Sequence, residues 1–154
     1  MQTIGKGESK PADYKRILVG YDGSTNSERA LGRAIALAKE RRAALRILVA
    51  VNTVLPVYSP ISPSIPESTF DAIIRDGKDA LAKAVSTAKL DLEDVSGVLQ
   101  DGHAADEIIR YASENGIDLI VLGRRGVSAV ERFLLGGVSS SVVNHSKCDV
   151  LVVK

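Results

Sequence analysis

Short runs of apolar residues alternate along this chain with segments whose apolar residues recur at helical spacing, and that alternation restricts the fold more than any other feature. The runs are ILV at 17–19, LRILVAVNTV at 45–54, DVSGVLQDG at 94–102, DLIVLG at 118–123 and DVLVV at 149–153. Consecutive apolar residues suit a strand covered on both faces, as in a parallel sheet. The third run has the weakest apolar signature, which fits a shorter strand nearer a sheet edge. Between the runs, Ala30, Leu31, Ala34, Ile35 and Ala38 form one helical stripe, with Arg29, Arg33, Lys39 and Glu40 opposite. Phe70, Ile73, Ile74, Gly77, Leu81, Ala84, Val85 and Ala88 form a second stripe. Ala105, Ile108, Ile109 and Ala112 form a third, which Asn115-Gly116 ends. The spacing predicts a last helix from Gly137 to about His145, with Val138, Val142 and Val143 inward. Thr25 with Glu28 fits a capping box for the first helix, and Ser24 fits the cap equally well.

Strands alternating with helices make an α/β domain with right-handed crossovers. With 154 residues the chain has room for one domain. The expected fold is a single doubly wound, Rossmann-like domain: a five-stranded parallel sheet in the order 3-2-1-4-5, with helices on both faces. The domain is expected over 14–154, behind a flexible tail at 1–13. In that order the connections after strands 1 and 4 leave to opposite sides, opening a crevice at their carboxyl ends. Those ends read YDGS and GRRG, so topology alone sets Asp22 and Gly23 opposite Gly123 and Gly126.

Charge and composition exclude several partners. There are 20 basic and 19 acidic side chains, a net charge of +1, with aromatics at 4% and no Trp. Nucleic-acid binding normally needs a basic face and stacking aromatics, so it is not expected. Cys148 is the single cysteine and can form no internal disulfide, which points to a reducing compartment. The N-terminus is polar, and no apolar run approaches the ~20 residues of a membrane helix. A cytoplasmic protein is expected, with no membrane partner.

Four of the five prolines, Pro56, Pro60, Pro63 and Pro66, fall within eleven residues of the stretch 53–69. That density suits neither helix nor central strand, because each proline lacks a donor and fixes φ. The stretch is either a tolerated surface insertion or a semi-rigid flap over a ligand.

The other departure from regular structure is VLGRRGVSAVERFLLGGVSSS, residues 121–141. Glycine lets main chain approach a ligand without a Cβ in the way, and consecutive N–H groups can then line a nest for anionic oxygens. Gly136 and Gly137 precede the last helix, whose first N–H groups lie at its positive end. Ser139, Ser140 and Ser141 fall in its first turn. A phosphate chain matches such a track of donors; a tight turn with serine caps is the plainer alternative. No lysine followed by Ser or Thr closes a Walker A loop, and strand 1 is followed by DGSTNS rather than the dinucleotide fingerprint.

The G-x2-G-x9-G spacing of Gly123, Gly126 and Gly136 resembles the nucleotide-binding motif of the universal stress protein family. The resemblance runs from about Tyr14 to Lys154 and includes ILVGYDGS, GHAADEI and the closing CDVLVVK. It implies the same five-stranded α/β sheet and a homodimer through the last strand. In the ATP-binding branch it implies that Asp22 lies near the ribose and phosphates and that Val51 helps form the adenine site. Leu122 and Gly123 would run beside the nucleotide, with Gly20 at the end of strand 1. Gly126 would let the loop approach the phosphates, and Gly136, Gly137, Val138 and Ser139 would form the phosphate-binding turn. ATP is the implied ligand, with ADP or AMP as alternatives. The chain departs from the family in having Gly137 where Ser or Thr is usual, and Ala104 where proline is usual.

Asp22 is either a site carboxylate or a cap for the first helix, and the roles can coexist. A carboxylate beside phosphates calls for a bridging cation, with Mg²⁺ the candidate. Arg124 and Arg125 can neutralise phosphate or point to solvent, and the solvated reading is preferred. His103 reads as loop surface. His145 with Cys148 supplies only two ligands, a poor zinc site. No nucleophile–base pair or paired-carboxylate site can be assembled, so no catalytic residue is assigned. The expectation is an adenine-nucleotide-binding stress-response switch with little or no turnover. Its rivals are a weak Mg-dependent ATPase or nucleotide-dependent transferase, and a dimeric interaction module that binds no nucleotide.

Overall fold

The computed structural model describes residues 13–53, 67–124 and 136–154. The expected alternation is present in order: β1 (Arg16–Gly20), α1 (Thr25–Arg41), β2 (Ala44–Val51), α2 (Glu67–Lys89), β3 (Val95–Asp101), α3 (Ala104–Glu114), β4 (Leu119–Gly123), α4 (Gly137–His145) and β5 (Asp149–Val153). All strands are parallel, in the order β3-β2-β1-β4-β5. Register is set by apolar pairs such as Ile17 with Leu45 and with Leu119, and Val19 with Ile47 and with Val121. β3 does lie at an edge, although with seven residues it is longer than β1.

The period-two alternation of each strand divides its apolar residues between two covered faces. Ile17, Val19, Leu45, Ile47 and Val121 join Ala30, Leu31, Ala34 and Ala38 of α1 and Ala84 and Ala88 of α2. Leu18, Leu48, Ile120 and Leu122 join Ile108 and Ala112 of α3 and Val142 of α4 on the other. Ile17, Leu18, Val19, Ile120 and Val121 are completely buried, each worth about 1.5–3 kcal/mol of apolar transfer.

One local alternative is decided and one expectation is corrected. The cap of α1 is Ser24 rather than Thr25: its Oγ accepts the N–H of Ser27 at 3.2 Å. With Ser24 as the cap the third helical residue is Ser27, and Glu28 lies beyond the capping-box position and accepts from the Tyr21 hydroxyl. In α4, Val142 is inward but Val138 and Val143 are 41% and 44% exposed, and Ser139 takes the second inward place. At about 100° per residue the line through Ser139 and Val142 leaves those two valines on opposite flanks. Elsewhere the ends agree with the sequence: Asn115 caps α3, and Gly116 follows with φ 59°.

Candidate functional site

β1 and β4 are neighbours whose chains leave to opposite faces, α1 to one and α4 to the other. Their carboxyl ends therefore meet at the switch point, where a fold of this kind opens a crevice. The turn after β1 is built by Asp22 and Gly23. Asp22 Oδ1 accepts the Ser24 N–H at 3.0 Å, and the Asp22 N–H donates to Ser27 Oγ at 3.3 Å. Gly23 has φ 77°, a conformation other residues rarely take, which lets the chain turn sharply into α1. Asp22 therefore organises the turn while remaining exposed.

Gly20 and Gly123 end the two strands, and the structure gives each a packing reason. A Cβ on Gly20 would lie 2.6 Å from Leu122 Cδ2 and 3.0 Å from Ile108 Cδ1. A Cβ on Gly123 would lie 2.7 Å from the main-chain carbon and oxygen of Asn26, in the first turn of α1. Leu122 is buried in the α3–α4 cluster. Val51 is buried on the opposite face, where a Cβ on Gly77 of α2 would come within 2.6 Å of its Cγ1. The side chains of Leu122 and Val51 thus serve the core, and what they bring to the strand ends is chiefly main chain.

On the other face α4 begins at Gly136, which has an ordinary extended conformation and no side-chain cap bond. Its N–H donates to the Arg124 carbonyl at 2.9 Å, holding the start of α4 against the end of β4. The N–H groups of Gly137, Val138 and Ser139 occupy the first turn, where helical geometry supplies no acceptor. Around Gly137 a Cβ would meet no heavy atom of the described residues within 4 Å. Ser139 is 2% exposed, and its hydroxyl donates to the carbonyls of Arg124 at 3.0 Å and Gly136 at 3.1 Å. Gly126 and Arg125, and all but the ends of the proline-rich stretch, lie outside the described residues.

Several bonds at this edge were not foreseen from the sequence. The buried phenol of Tyr21 is pushed up to about 12, first by desolvation and then by its bond to Glu28. Thr53 gives both its N–H, at 2.9 Å, and its hydroxyl to Asp101, whose carboxyl those two bonds hold below the usual range. Val51 pairs with Asp101 in the sheet, so only the register brings Thr53 to that carboxylate. Among the described residues no cluster of three or more His, Cys, Asp and Glu side chains could hold a metal ion. His145 and Cys148 lie at the opposite edge, lining with Ile109, Ala112 and Ile117 a groove of about 480 Å³. His145 Nδ1 is 2.8 Å from the Ser141 carbonyl oxygen, and burial raises the Cys148 thiol.

Fold and topology together define a doubly wound α/β protein whose switch point lies between β1 and β4, the place where open sheets of this class take ligands. Sequence comparison is more specific: the profile of the universal stress protein family matches residues 13–154. The chain belongs to the universal stress protein family. Universal stress protein YxiE of Bacillus subtilis is 34% identical over 147 residues, covering 92% of this chain and 99% of that protein. Universal stress protein UspA from Lactobacillus plantarum superposes with a TM-score of 0.82 at 28% identity, over 93% of this chain and 99% of its own. A universal stress protein solved in complex with cAMP superposes with a TM-score of 0.71 at 30% identity, again over 93% and 99%.

Proposed function

We propose that this protein binds an adenine nucleotide, ATP in the first instance, and acts as a nucleotide-dependent switch with little or no turnover. The observation that carries this reading is the start of α4. Gly136 pins it to β4 through the Arg124 carbonyl, and the first-turn N–H groups of Gly137, Val138 and Ser139 follow at the sheet edge that also holds Asp22. Helix N-termini favour phosphate oxygens through those unpaired donors and their positive end. A relative 30% identical to this chain binds cAMP, which supports an adenine nucleotide as the ligand class. In this reading Gly126 carries the loop past the phosphates, Gly20 and Gly123 keep the strand ends low, and Val51 and Leu122 border the nucleotide with main chain. Asp22 lies beside the ribose and phosphates, where its exposed carboxylate would hold Mg²⁺ and so relieve repulsion between like charges.

The nucleotide-binding unit is proposed to span 14–154, with 1–13 as a tail, and to work in the cytoplasm. Among the described residues no helix is long and apolar enough to cross a membrane. The unit is proposed to dimerise through β5, whose outer side has no strand partner among the described residues and whose Val150, Leu151, Val152 and Val153 are only half-buried. An open apolar edge of this kind is a template for pairing with a second copy.

Calorimetry with ATP, ADP, AMP and cAMP on nucleotide-stripped protein tests the ligand, alongside mass spectrometry of freshly purified protein. Gly126→Val is expected to weaken ATP binding at least about tenfold, because a branched side chain would displace phosphate contacts worth upward of one charge-assisted hydrogen bond. Absence of both a binding heat and a co-purified nucleotide would refute the function. Unchanged affinity in Gly126→Val would refute the placement of the phosphates.

A further inference from the structure

The serine run after the paired glycines suggests hydroxyls that donate to a ligand, yet Ser139 is 2% exposed and its hydroxyl is directed away from solvent. Its proton is shared between the Arg124 carbonyl at 3.0 Å and the Gly136 carbonyl at 3.1 Å. A hydroxyl has one proton to give, so a serine in this arrangement has none left for a phosphate. The Arg124 carbonyl accepts a second bond, from the Gly136 N–H at 2.9 Å, and the Arg124 N–H donates to the Val153 carbonyl at 2.8 Å. Residue 124 is therefore fixed on both sides: to the end of β5 through its N–H, and to the first turn of α4 through its carbonyl. Both ends of the glycine-rich connection, 124 and 136, meet at this one carbonyl.

We propose that Ser139 is a positioning residue for the nucleotide site. Its hydroxyl clasps the first turn of α4 to the end of β4 and sets where the amides of Gly137 and Val138 stand, while touching no part of the ligand. The proposal rests on the nucleotide-binding reading, since it concerns the same amides. It inverts the role that the sequence suggests for this serine. Chemically, loss of the hydroxyl takes one donor from each of the Arg124 and Gly136 carbonyls in a part-buried place, and of the Ser139 and Gly136 donors to the Arg124 carbonyl only the Gly136 N–H remains.

The test uses the full chain stripped of nucleotide, with Ser139→Ala and Ser139→Thr. Amide exchange at Gly136, with Val19 in the sheet as internal control, reads the clasp; calorimetry with ATP reads the site. In Ser139→Ala the Gly136 amide is expected to exchange about tenfold faster while Val19 does not change, and ATP binding is expected to weaken by about five- to tenfold. Ser139→Thr, which keeps an oxygen on Cβ, is expected to restore both. Weaker ATP binding with unaltered exchange at Gly136 would mean that the hydroxyl meets the ligand, and overturns the proposal. Faster exchange with unaltered affinity, no change in either, or a threonine variant that behaves like alanine also overturns it. If the wild-type protein binds no nucleotide, the functional reading fails with it, while the exchange measurement still reports separately whether the clasp exists.

Discussion

Replacing Gly123 by alanine puts a methyl group where α1 already is. The new Cβ would stand 2.7 Å from the carbonyl carbon and oxygen of Asn26 and 2.9 Å from its Cβ. Ordinary contact between such atoms is about 3.5–4 Å, so the overlap is close to an ångström and falls on main chain, which cannot rotate away. The first turn of α1 has to retreat, and with it the helix whose Ala30, Leu31, Ala34 and Ala38 line the core. Overpacking of this kind costs about 1–3 kcal/mol, against which the lower entropy of an unfolded alanine chain returns about 0.4–1 kcal/mol. A net loss of about 1–2 kcal/mol lowers the Tm of a domain this size by roughly 2–8 °C. Two other glycines calibrate the measurement. At Gly20 the obstacles are the ends of the Leu122 and Ile108 side chains, which can turn aside, so Gly20→Ala should cost less. At Gly137 there is nothing of the described residues within 4 Å and φ is not positive, so Gly137→Ala should gain up to about 1 kcal/mol of helix propensity. Thermal and urea unfolding of nucleotide-free protein read the series, because bound ligand would mask it. The expected order of stability is Gly137→Ala above wild type, wild type above Gly20→Ala, and Gly123→Ala lowest. A Gly123→Ala variant at or above the wild-type Tm would show that the packing account of this glycine is wrong.

Two more predictions follow from the same edge of the sheet. Gly137→Ser restores the hydroxyl usual in the family at a position with open space, and calorimetry should record ATP binding tightened by about three- to tenfold, one added hydrogen bond; weaker or unaltered binding would separate that position from the phosphates. The Tyr21 phenol is raised from its ordinary 10.0 to about 12 by burial and then by Glu28. A folded-state value above the unfolded one means that this contribution is fully present below about 10 and is lost as pH rises through about 12. Urea midpoints should therefore fall more steeply with pH in wild type than in Tyr21→Phe over that window, and parallel declines would count against the buried phenol.

The fold was legible because a parallel sheet covered on both faces writes itself as consecutive apolar residues. Ile17, Leu18 and Val19 go alternately to the two faces, yet all three are buried, so no register needs to be known to recognise the strand. A short helix is less readable. In α4 three valines invited an apolar face, but a nine-residue helix has only about two and a half turns with which to average out one misleading position. Burying Ser139 is stable because two carbonyls satisfy it, and the Arg124 carbonyl is fifteen residues away in the chain. The same holds for Glu28, which bonds to Tyr21, and for Thr53, which finds Asp101 only through the pairing of β2 with β3. Periodicity reports which way a residue faces, whereas polar partnerships depend on neighbours that the pairing of elements supplies.

That distinction bears on how a glycine signature should be interpreted at this site. The spacing of Gly123, Gly126 and Gly136 suggests one purpose, room for a ligand, but two of the strand-end glycines have steric partners inside the protein. Gly123 is required by the main chain of Asn26, and Gly20 is favoured by the side chains of Leu122 and Ile108, so both have a packing role whether or not anything is bound. Gly136 and Gly137 differ. Both have ordinary φ, and at Gly137 no atom of the described residues crowds the missing side chain, so their packing gives no reason for glycine there. The part of the motif most diagnostic of a ligand is therefore the start of α4 rather than the end of β4. Under the proposed function, a chain that kept Gly20 and Gly123 but carried a bulky residue at 137 is expected to retain the fold and lose the phosphate contact. The departure at Gly137, which removes a hydroxyl while leaving its N–H in the first turn, lies on the side of that line where the backbone donors survive.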